Sequence, residues 1–161
     1  LWLQLKSCCL CRPGFSLWCV AEGSVNRLPA KSHKTKVLPR YLTYLYIHTG
    51  DALLLRKRTG DDIWKNLYEL PLVETPEPVS ADAMMRDHAF AHWLSLLSDS
   101  VYRGSVGGVK HVLSHRVLHA SFHEFEVQRC LPCPDGFVVV PYSELARYAL
   151  PRLIERYLHD R

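Results

Sequence analysis

The order of extended and helical stretches is the feature that most constrains the fold of this chain. Residues 41–48 are rich in aromatic and β-branched side chains, which predicts a strand, and residues 52–58 predict its antiparallel partner across a turn at Gly50. Further strands are predicted within residues 67–73, 102–128 (two or three strands) and 137–141, and helices within residues 81–98, 143–148 and 151–158. The resulting β-β-β-α-β-β-β-α order lacks regular βαβ alternation. It predicts an α+β fold with a mixed or antiparallel sheet flanked by helices.

Candidate capping residues predict where the helices begin. Ser80 or Asp82 suits the N-cap of the first helix, and Ser143 suits that of the short second helix. Pro151 suits the first turn of the last helix. Trp93, on the apolar stripe of the first helix, is a predicted core residue rather than part of a cofactor site.

Basic side chains are concentrated ahead of the predicted domain. The net charge of the 161-residue chain is +4, and residues 24–40 contain five Lys and Arg but no Asp or Glu. A positive field attracts phosphate, although a solvated linker has the same composition. We therefore divide the chain into an N-terminal tail (residues 1–22), a linker (23–39) and a compact domain (40–161).

We expect an intracellular protein, and because the sequence lacks an initiator Met we expect it to begin inside a longer chain. No apolar stretch approaches the roughly 20 residues needed to cross a bilayer, and residues 1–6 lack the pattern of a signal peptide. Because nothing points to secretion, the six cysteines favour metal binding over a disulfide framework. In a bacterium we expect the cytoplasm or nucleoid, and no membrane partner.

Residues 67–71, Leu-Tyr-Glu-Leu-Pro, resemble the Trp-Glu-Phe-Pro-like motif of Nudix-type (MutT-like) domains. The resemblance implies a Nudix-like mixed sheet flanked by helices. In Nudix hydrolases a Gly-rich turn follows, then a helix whose Arg-Glu and Glu-Glu pairs hold Mg²⁺ against a pyrophosphate. Here Leu72 and Val73 replace the glycines, and residues 81–98 contain no Glu. We therefore expect no Nudix-type hydrolysis and a structural role for Glu69.

Four runs in order resemble the C-terminal part of MutY-type A/G-specific adenine DNA glycosylases. These runs are residues 21–31 in the linker, 57–71, 110–115 and 148–151. That family removes adenine mispaired with 8-oxoguanine in double-stranded DNA, and its catalytic half flips the adenine out of the helix. The resemblance implies that this chain carries the Nudix-like domain that recognises the 8-oxoguanine.

By this resemblance, the lesion-reading residues are Leu113, Ser114 and His115. Guanine presents N7 as an acceptor in the major groove, whereas 8-oxoguanine carries a hydrogen on N7 and a new acceptor, O8. A serine hydroxyl can accept from that N7–H, which is the role the family implies for Ser114. Leu113 stands where the family usually has Phe. A Ser-His catalytic pair is disfavoured, because adjacent side chains of a strand point to opposite faces.

Basic residues around these motifs are candidates for backbone phosphate contacts, which position a protein on DNA without reading sequence. Lys and Arg side chains on a protein surface are, however, more often only solvated. The candidates are Lys57, Arg58, Lys65, Lys110 and Arg116.

The cysteines resemble part of the family's iron–sulfur site, in which four Cys follow the pattern C-x6-C-x2-C-x5-C. Cys8 and Cys11 match the middle pair, and Cys19 follows at a different spacing. The resemblance implies a [4Fe–4S] cluster in a longer protein that uses these three ligands, and we expect none on this chain alone. Cys130 and Cys133 form a single C-x2-C, which is a weak zinc pattern.

We therefore expect a non-catalytic part of a base-excision repair enzyme. The family's glycosidic-bond chemistry uses a Glu and an Asp from a helix-hairpin-helix domain, which this sequence does not contain. Two alternatives remain open. One is a degenerate Nudix hydrolase of nucleotide diphosphates, and the other is a protein-interaction module whose basic linker binds a repair partner.

Overall fold

The computed structural model describes residues 38–113 and 116–160. These residues form one mixed sheet with short helices on both faces. Its strands are β1 (Leu38–His48), β2 (Ala52–Lys57), β3 (Tyr68–Glu69), β4 (Leu72–Thr75), β5 (Ser100–Val112), β6 (Arg116–Val127) and β7 (Phe137–Pro141). Its helices are α1 (Ala81–Met84), α2 (Ala91–Leu96) and α3 (Arg152–His159), with 3-10 turns at His88–Phe90 and Tyr142–Arg147.

The central strand β1 determines the topology. It pairs in parallel with β6 along its whole length, from Leu38 opposite Arg116 to His48 opposite Glu126. On its other side it pairs antiparallel with β4 and, near the turn at Gly50, with β2. Strand β5 closes one side of the sheet by pairing antiparallel with β6, while β3 and β7 both pair with β2. The predicted α+β fold with a mixed sheet flanked by helices is confirmed.

Because β1 is covered on both faces, its side chains are buried without interruption from Leu42 to Ile47. On one face, Tyr44 stacks on Phe122 of β6 with ring centroids 5.2 Å apart. Phe122 also stacks on Tyr157 of α3 at 4.0 Å, so α3 covers this face. On the other face, Phe90 and the residues of α1 and α2 pack over β1 and β2.

The single helix predicted over residues 81–98 is wrong, because the chain breaks at Arg86–Asp87. Ser80 caps α1, accepting a hydrogen bond from the Ala83 amide, as one of the two predicted caps. Asp87 then adopts an extended conformation and accepts from the Ala89 amide, which starts a new turn. An Asp in mid-helix competes for backbone donors in this way. Within the described residues, no helix is long and apolar enough to span a membrane.

Two other element predictions need adjustment. Residues 67–73 form two strands rather than one, because the Pro71 carbonyl turns to accept from the Leu45 amide at 2.8 Å. The two or three strands predicted within residues 102–128 are two, β5 and β6, as one of the predicted alternatives has it. The turn predicted to be capped by Ser143 begins at Tyr142, and no side chain caps it.

Candidate nucleic-acid interface

The tip of the β5–β6 hairpin is where the predicted recognition residues occur. The strands remain paired up to Val112 opposite Val117, and the Leu113 amide donates to the Arg116 carbonyl at 2.8 Å. Leu113 is half-buried and packs against the core beneath α3. Ser114 and His115 lie outside the described residues, so their predicted role stays a prediction. The hairpin is thus anchored to the core up to the residue before Ser114.

The loop after β2 lies beside this hairpin. Trp64 packs against the same core as Leu113, and its ring centroid is 6.0 Å from that of His111 on β5. Trp64 and Asn66 adopt left-handed backbone conformations, with φ of 61° and 70°. That conformation is uncommon for a bulky side chain. Two backbone hydrogen bonds hold the loop in this conformation, from Asn66 N to Arg58 O (2.8 Å) and from Leu67 N to Trp64 O (3.0 Å). The loop therefore presents Trp64 next to the hairpin in a defined geometry.

A network of ion pairs, here called the arginine–carboxylate cluster, ties this loop to the sheet. At its centre Glu69 of β3 is fully buried, and its oxygens accept from Arg56 Nη2 at 3.0 Å and Arg58 Nη1 at 2.5 Å. A buried carboxylate is tolerated only when it is paired in this way. The members of the cluster are Arg40, Arg56, Arg58, Asp62, Glu69, Glu74 and Arg116.

Asp62 in the loop is the branch point of the cluster. Its carboxylate lies 2.7 Å from Arg40 Nη1, 3.2 Å from Arg58 Nη2 and 3.7 Å from Arg116 Nη1. Burial tends to raise the pKa of this carboxyl. The Ile63 amide and the neighbouring arginines outweigh burial, so the pKa is lowered. Asp62 therefore stays ionised and links the loop to β1 and to the first residue of β6.

Arg40 binds Glu74 of β4 through two hydrogen bonds, Nε to Oε1 at 2.5 Å and Nη2 to Oε2 at 2.7 Å. This bidentate pairing lowers the pKa of Glu74 and is the main reason that the pKa of Arg40 is raised. Sequence reasoning assigned Arg40 only to the basic stretch 24–40. The pairing could not be foreseen, because the two residues are 34 positions apart and meet only through the register of β1 and β4.

The predicted phosphate contacts have different surroundings. Lys57 and Lys110 are exposed and form no ion pair within the described residues. Lys65 is exposed and pairs with Asp61 at 3.0 Å. Arg116, 46% exposed, is loosely held by Asp62 beside the hairpin tip. Arg58 differs from these, because it is only 12% exposed and two carboxylates already hold its guanidinium.

A cleft of about 410 Å³ lies over the arginine–carboxylate cluster. Magnesium ions in nucleotide-hydrolysing sites are held by free carboxylate oxygens together with substrate phosphates. Here arginines engage all three carboxylates that line the cleft, Asp62, Glu69 and Glu74. Nowhere in residues 38–113 or 116–160 do three His, Cys, Asp or Glu side chains converge in a metal-binding arrangement. The donor set of the cleft does not fit Mg²⁺.

The predicted iron–sulfur ligands Cys8, Cys11 and Cys19 lie outside the described residues. Cys130 and Cys133 are exposed free thiols in the loop between β6 and β7. Each sulfur lies within weak hydrogen-bonding distance of a backbone carbonyl, 3.7 Å from that of Leu131 and 3.4 Å from that of Phe137.

Comparison with known families assigns the fold. The model of the NUDIX domain matches residues 43–160, which is most of the chain. The chain belongs to the NUDIX domain family. This NUDIX domain matches no curated protein sequence. Residues 67–71, which resemble the Trp-Glu-Phe-Pro-like motif of such domains, lie within the matched range.

Solved structures with similar folds come from proteins of different function. The C-terminal domain of mouse MUTYH, crystallised in complex with human PCNA, is 15% identical with a TM-score of 0.55; the match covers 74% of this chain and 85% of that one. The Nudix hydrolase RenU from M. smegmatis is 14% identical with a TM-score of 0.51, covering 80% and 86%. The MutT protein from Methanosarcina mazei Go1 is 16% identical with a TM-score of 0.51, covering 80% and 98%. These likenesses establish the fold.

Proposed function

We propose that this NUDIX domain reads 8-oxoguanine opposite a mispaired adenine in duplex DNA, as the C-terminal part of an adenine DNA glycosylase. The observation that supports this best is the parallel register of β1 and β6, in which Leu38 lies opposite Arg116. The chain therefore enters the domain at the end of the sheet where the β5–β6 hairpin turns. A catalytic half joined through the basic linker would be tethered at the same end.

The surroundings of the hairpin suit a DNA partner. Arg116 and Lys110 supply exposed positive charge on either side of the turn, and Trp64 supplies an aromatic surface beside them. In the proposed complex the Ser114 hydroxyl accepts from N7–H of 8-oxoguanine, a donor that guanine lacks. The basic side chains contact phosphates and hold the domain in register on the duplex.

In this proposal glycosidic-bond cleavage is carried out by groups outside this chain. Cys8, Cys11 and Cys19 contribute to a [4Fe–4S] cluster completed by a ligand outside the present sequence. We expect no adenine release from an A:8-oxoguanine duplex by this chain alone, as measured by single-turnover cleavage.

Hydrolysis of a nucleotide diphosphate is the second candidate function, favoured by the family assignment and by the cleft of about 410 Å³. Its weakness is the pairing of every cleft carboxylate with arginine. Mg²⁺-dependent release of phosphate or pyrophosphate from nucleotides would establish it. A protein partner is also open to test, since the similar mouse domain was crystallised with PCNA.

The deciding experiment compares binding to duplexes that carry 8-oxoguanine or guanine opposite adenine. We expect Ser114→Ala to reduce the preference for the lesion by about 1–3 kcal/mol, or roughly 5- to 150-fold, the value of one good base contact. Ser105→Ala is the matched control, because Ser105 is an exposed serine on the same hairpin, on β5. Equal loss of affinity for both duplexes in Ser114→Ala would contradict a reading role. Absence of any preference in the unaltered chain would leave only a basic DNA-contacting module.

A further inference from the structure

A second feature next to the hairpin carries charge that the proposed lesion contact does not use. A groove of about 340 Å³ runs between β5 and α3. Its floor is apolar, formed by the buried side chains of Leu153 and Tyr157 with Val106 and Val109 of β5. Arg152 and Arg156 form the α3 wall, and His111 stands on the β5 side. Lys110 lies at the edge of the groove, but it pairs with His119 of β6, so its side chain points to the face of the sheet away from α3.

The two arginines face the groove together because they are four residues apart on one helix. Arg152 and Arg156 are both exposed, and neither has an ion-pair partner among the described residues. This contrasts with the arginines of the arginine–carboxylate cluster, each of which has a carboxylate. With Asp160 at the rim, two positive charges and one negative leave the groove at +1.

Helix stability does not account for this arrangement. Arg152 is the first residue of α3, where the positive end of the helix dipole disfavours a cation. Arg156 is near the other end, where a cation is favoured, but it points to the same groove. The pair therefore concentrates charge at the groove at some cost to the helix. Such a site suits an anionic ligand.

The groove is continuous with the candidate interface. Lys110 is three residues before Leu113 on β5, a distance of about 10 Å along an extended strand. One DNA strand advances roughly 3.4 Å per nucleotide along the helix axis, so this distance corresponds to about three nucleotides. His111 belongs to both the groove and the candidate interface, because it lines the groove and lies against the ring of Trp64.

We propose that this groove binds the sugar–phosphate backbone of duplex DNA, about three nucleotides from the base read at the hairpin tip. Arg152 and Arg156 bind phosphates from the α3 wall, while the apolar floor lies against the sugars. The assignment of the tip rests on the proposed function, but phosphate binding in the groove does not require lesion reading.

The test is the salt dependence of duplex binding by the full chain and by its Arg152→Gln/Arg156→Gln variant. The slope of log K against log salt is negative, and each lost phosphate contact reduces its magnitude by about 0.9, so the loss of two contacts reduces it by ~1.8. The affinity advantage of the unaltered chain should then be roughly twelvefold larger at ~50 mM than at ~200 mM salt. Duplexes with 8-oxoguanine and with guanine should be affected equally.

The control removes two charges elsewhere, as Arg86→Gln/Arg129→Gln. Arg86 follows α1 on the opposite face of the sheet, and Arg129 follows β6 at the end away from the hairpin. If this control lowers the slope as much as the groove variant, net charge explains the effect and the proposal fails. Arg156→Gln alone provides a single-contact variant, expected to reduce the magnitude of the slope by about 0.9.

The outcomes separate the two proposals. A lowered slope in the groove variants together with an unaltered lesion preference in Ser114→Ala would support the groove and refute lesion reading. The reverse pattern would refute the groove alone. If dGTP displaces the duplex from the unaltered chain but not from the Arg152→Gln/Arg156→Gln variant, and the salt slope is unchanged, the groove is a mononucleotide site. That result would overturn the DNA assignment.

Discussion

Replacing Glu69 with Gln would remove the central charge of the arginine–carboxylate cluster while keeping the shape of the side chain. Glu69 is fully buried, so water cannot substitute for the lost carboxylate. Arg58, only 12% exposed, would keep one carboxylate partner, Asp62. Arg56 is 40% exposed and can be solvated instead. The loss of stability therefore comes mainly from breaking the Arg58–Glu69 pair.

Removing one partner of a buried ion pair typically costs about 3–5 kcal/mol. Because Arg58 keeps Asp62, we expect the low end, about 3 kcal/mol of the free energy of unfolding. With a urea m-value near ~2 kcal/mol/M, the midpoint of unfolding should fall by about 1.5 M and m should not change. Urea unfolding followed by tryptophan fluorescence measures both quantities.

Glu74→Gln is the matched control. Glu74 binds Arg40 in the same cluster but is 43% exposed, and exposed pairs contribute about 0–1 kcal/mol. If the two variants lower the midpoint equally, burial of Glu69 does not determine the cost and the reasoning is refuted. A double variant, Glu69→Leu with Arg58→Met, should recover part of the loss, because apolar residues of similar volume can replace a buried pair.

Two further predictions concern the core. His123 is buried with Nε2 unpaired, and burial lowers its pKa, so the unfolded chain takes up the proton first as pH falls. The free energy of unfolding should therefore decline below pH ~6.5, with a slope of up to ~1.4 kcal/mol per pH unit. In urea unfolding measured from pH 7.5 to 5, His123→Gln should flatten this decline in the midpoint. Protonation of Asp62 and Glu74, whose pKa values are lowered, reduces the free energy of unfolding at more acidic pH, and this loss should persist in the His123→Gln variant. Tyr157→Ala removes the ring stacked on Phe122 at 4.0 Å and should cost about 3–5 kcal/mol, whereas Ile154→Val in the same helix should cost about 0.5–1.5 kcal/mol. Similar thermal shifts for the two variants would show that the stacked ring of Tyr157 contributes no more to stability than one methyl group.

Local patterns were sufficient for most of the strands. β7 was predicted at residues 137–141 and lies at Phe137–Pro141, because a short apolar run between turn residues has few alternatives. The β1–β2 hairpin was predicted as well, although β1 begins earlier, at Leu38. The break at Asp87 was missed, because apolar spacing continues through it and only side-chain capping interrupts the helix.

The site could be predicted only in part. The recognition role of residues 113–115 was predicted from a resemblance to a family, and the structure describes only the first of these residues, Leu113. The ion pairs of Arg40 and the groove between β5 and α3 depend on which strands and helices become neighbours. Arg152 and Arg156 are 42 and 46 residues beyond Lys110 in sequence, so no local pattern connects them.

The parallel pairing of β1 with β6 also has a consequence for how the domain folds. Leu38 and Arg116 are partners 78 residues apart in sequence, so the central strand must wait for a distant segment. Non-local pairing of this kind slows folding, since a long loop must close before its contacts are made. The β5–β6 hairpin is local and can form early, but its docking onto β1 closes that loop. During synthesis on a ribosome, the edge of β1 that pairs with β6 would stay open until the residues of β6, from Arg116 onward, had emerged. Chaperone binding to nascent chains should end once the chain is long enough to expose β6.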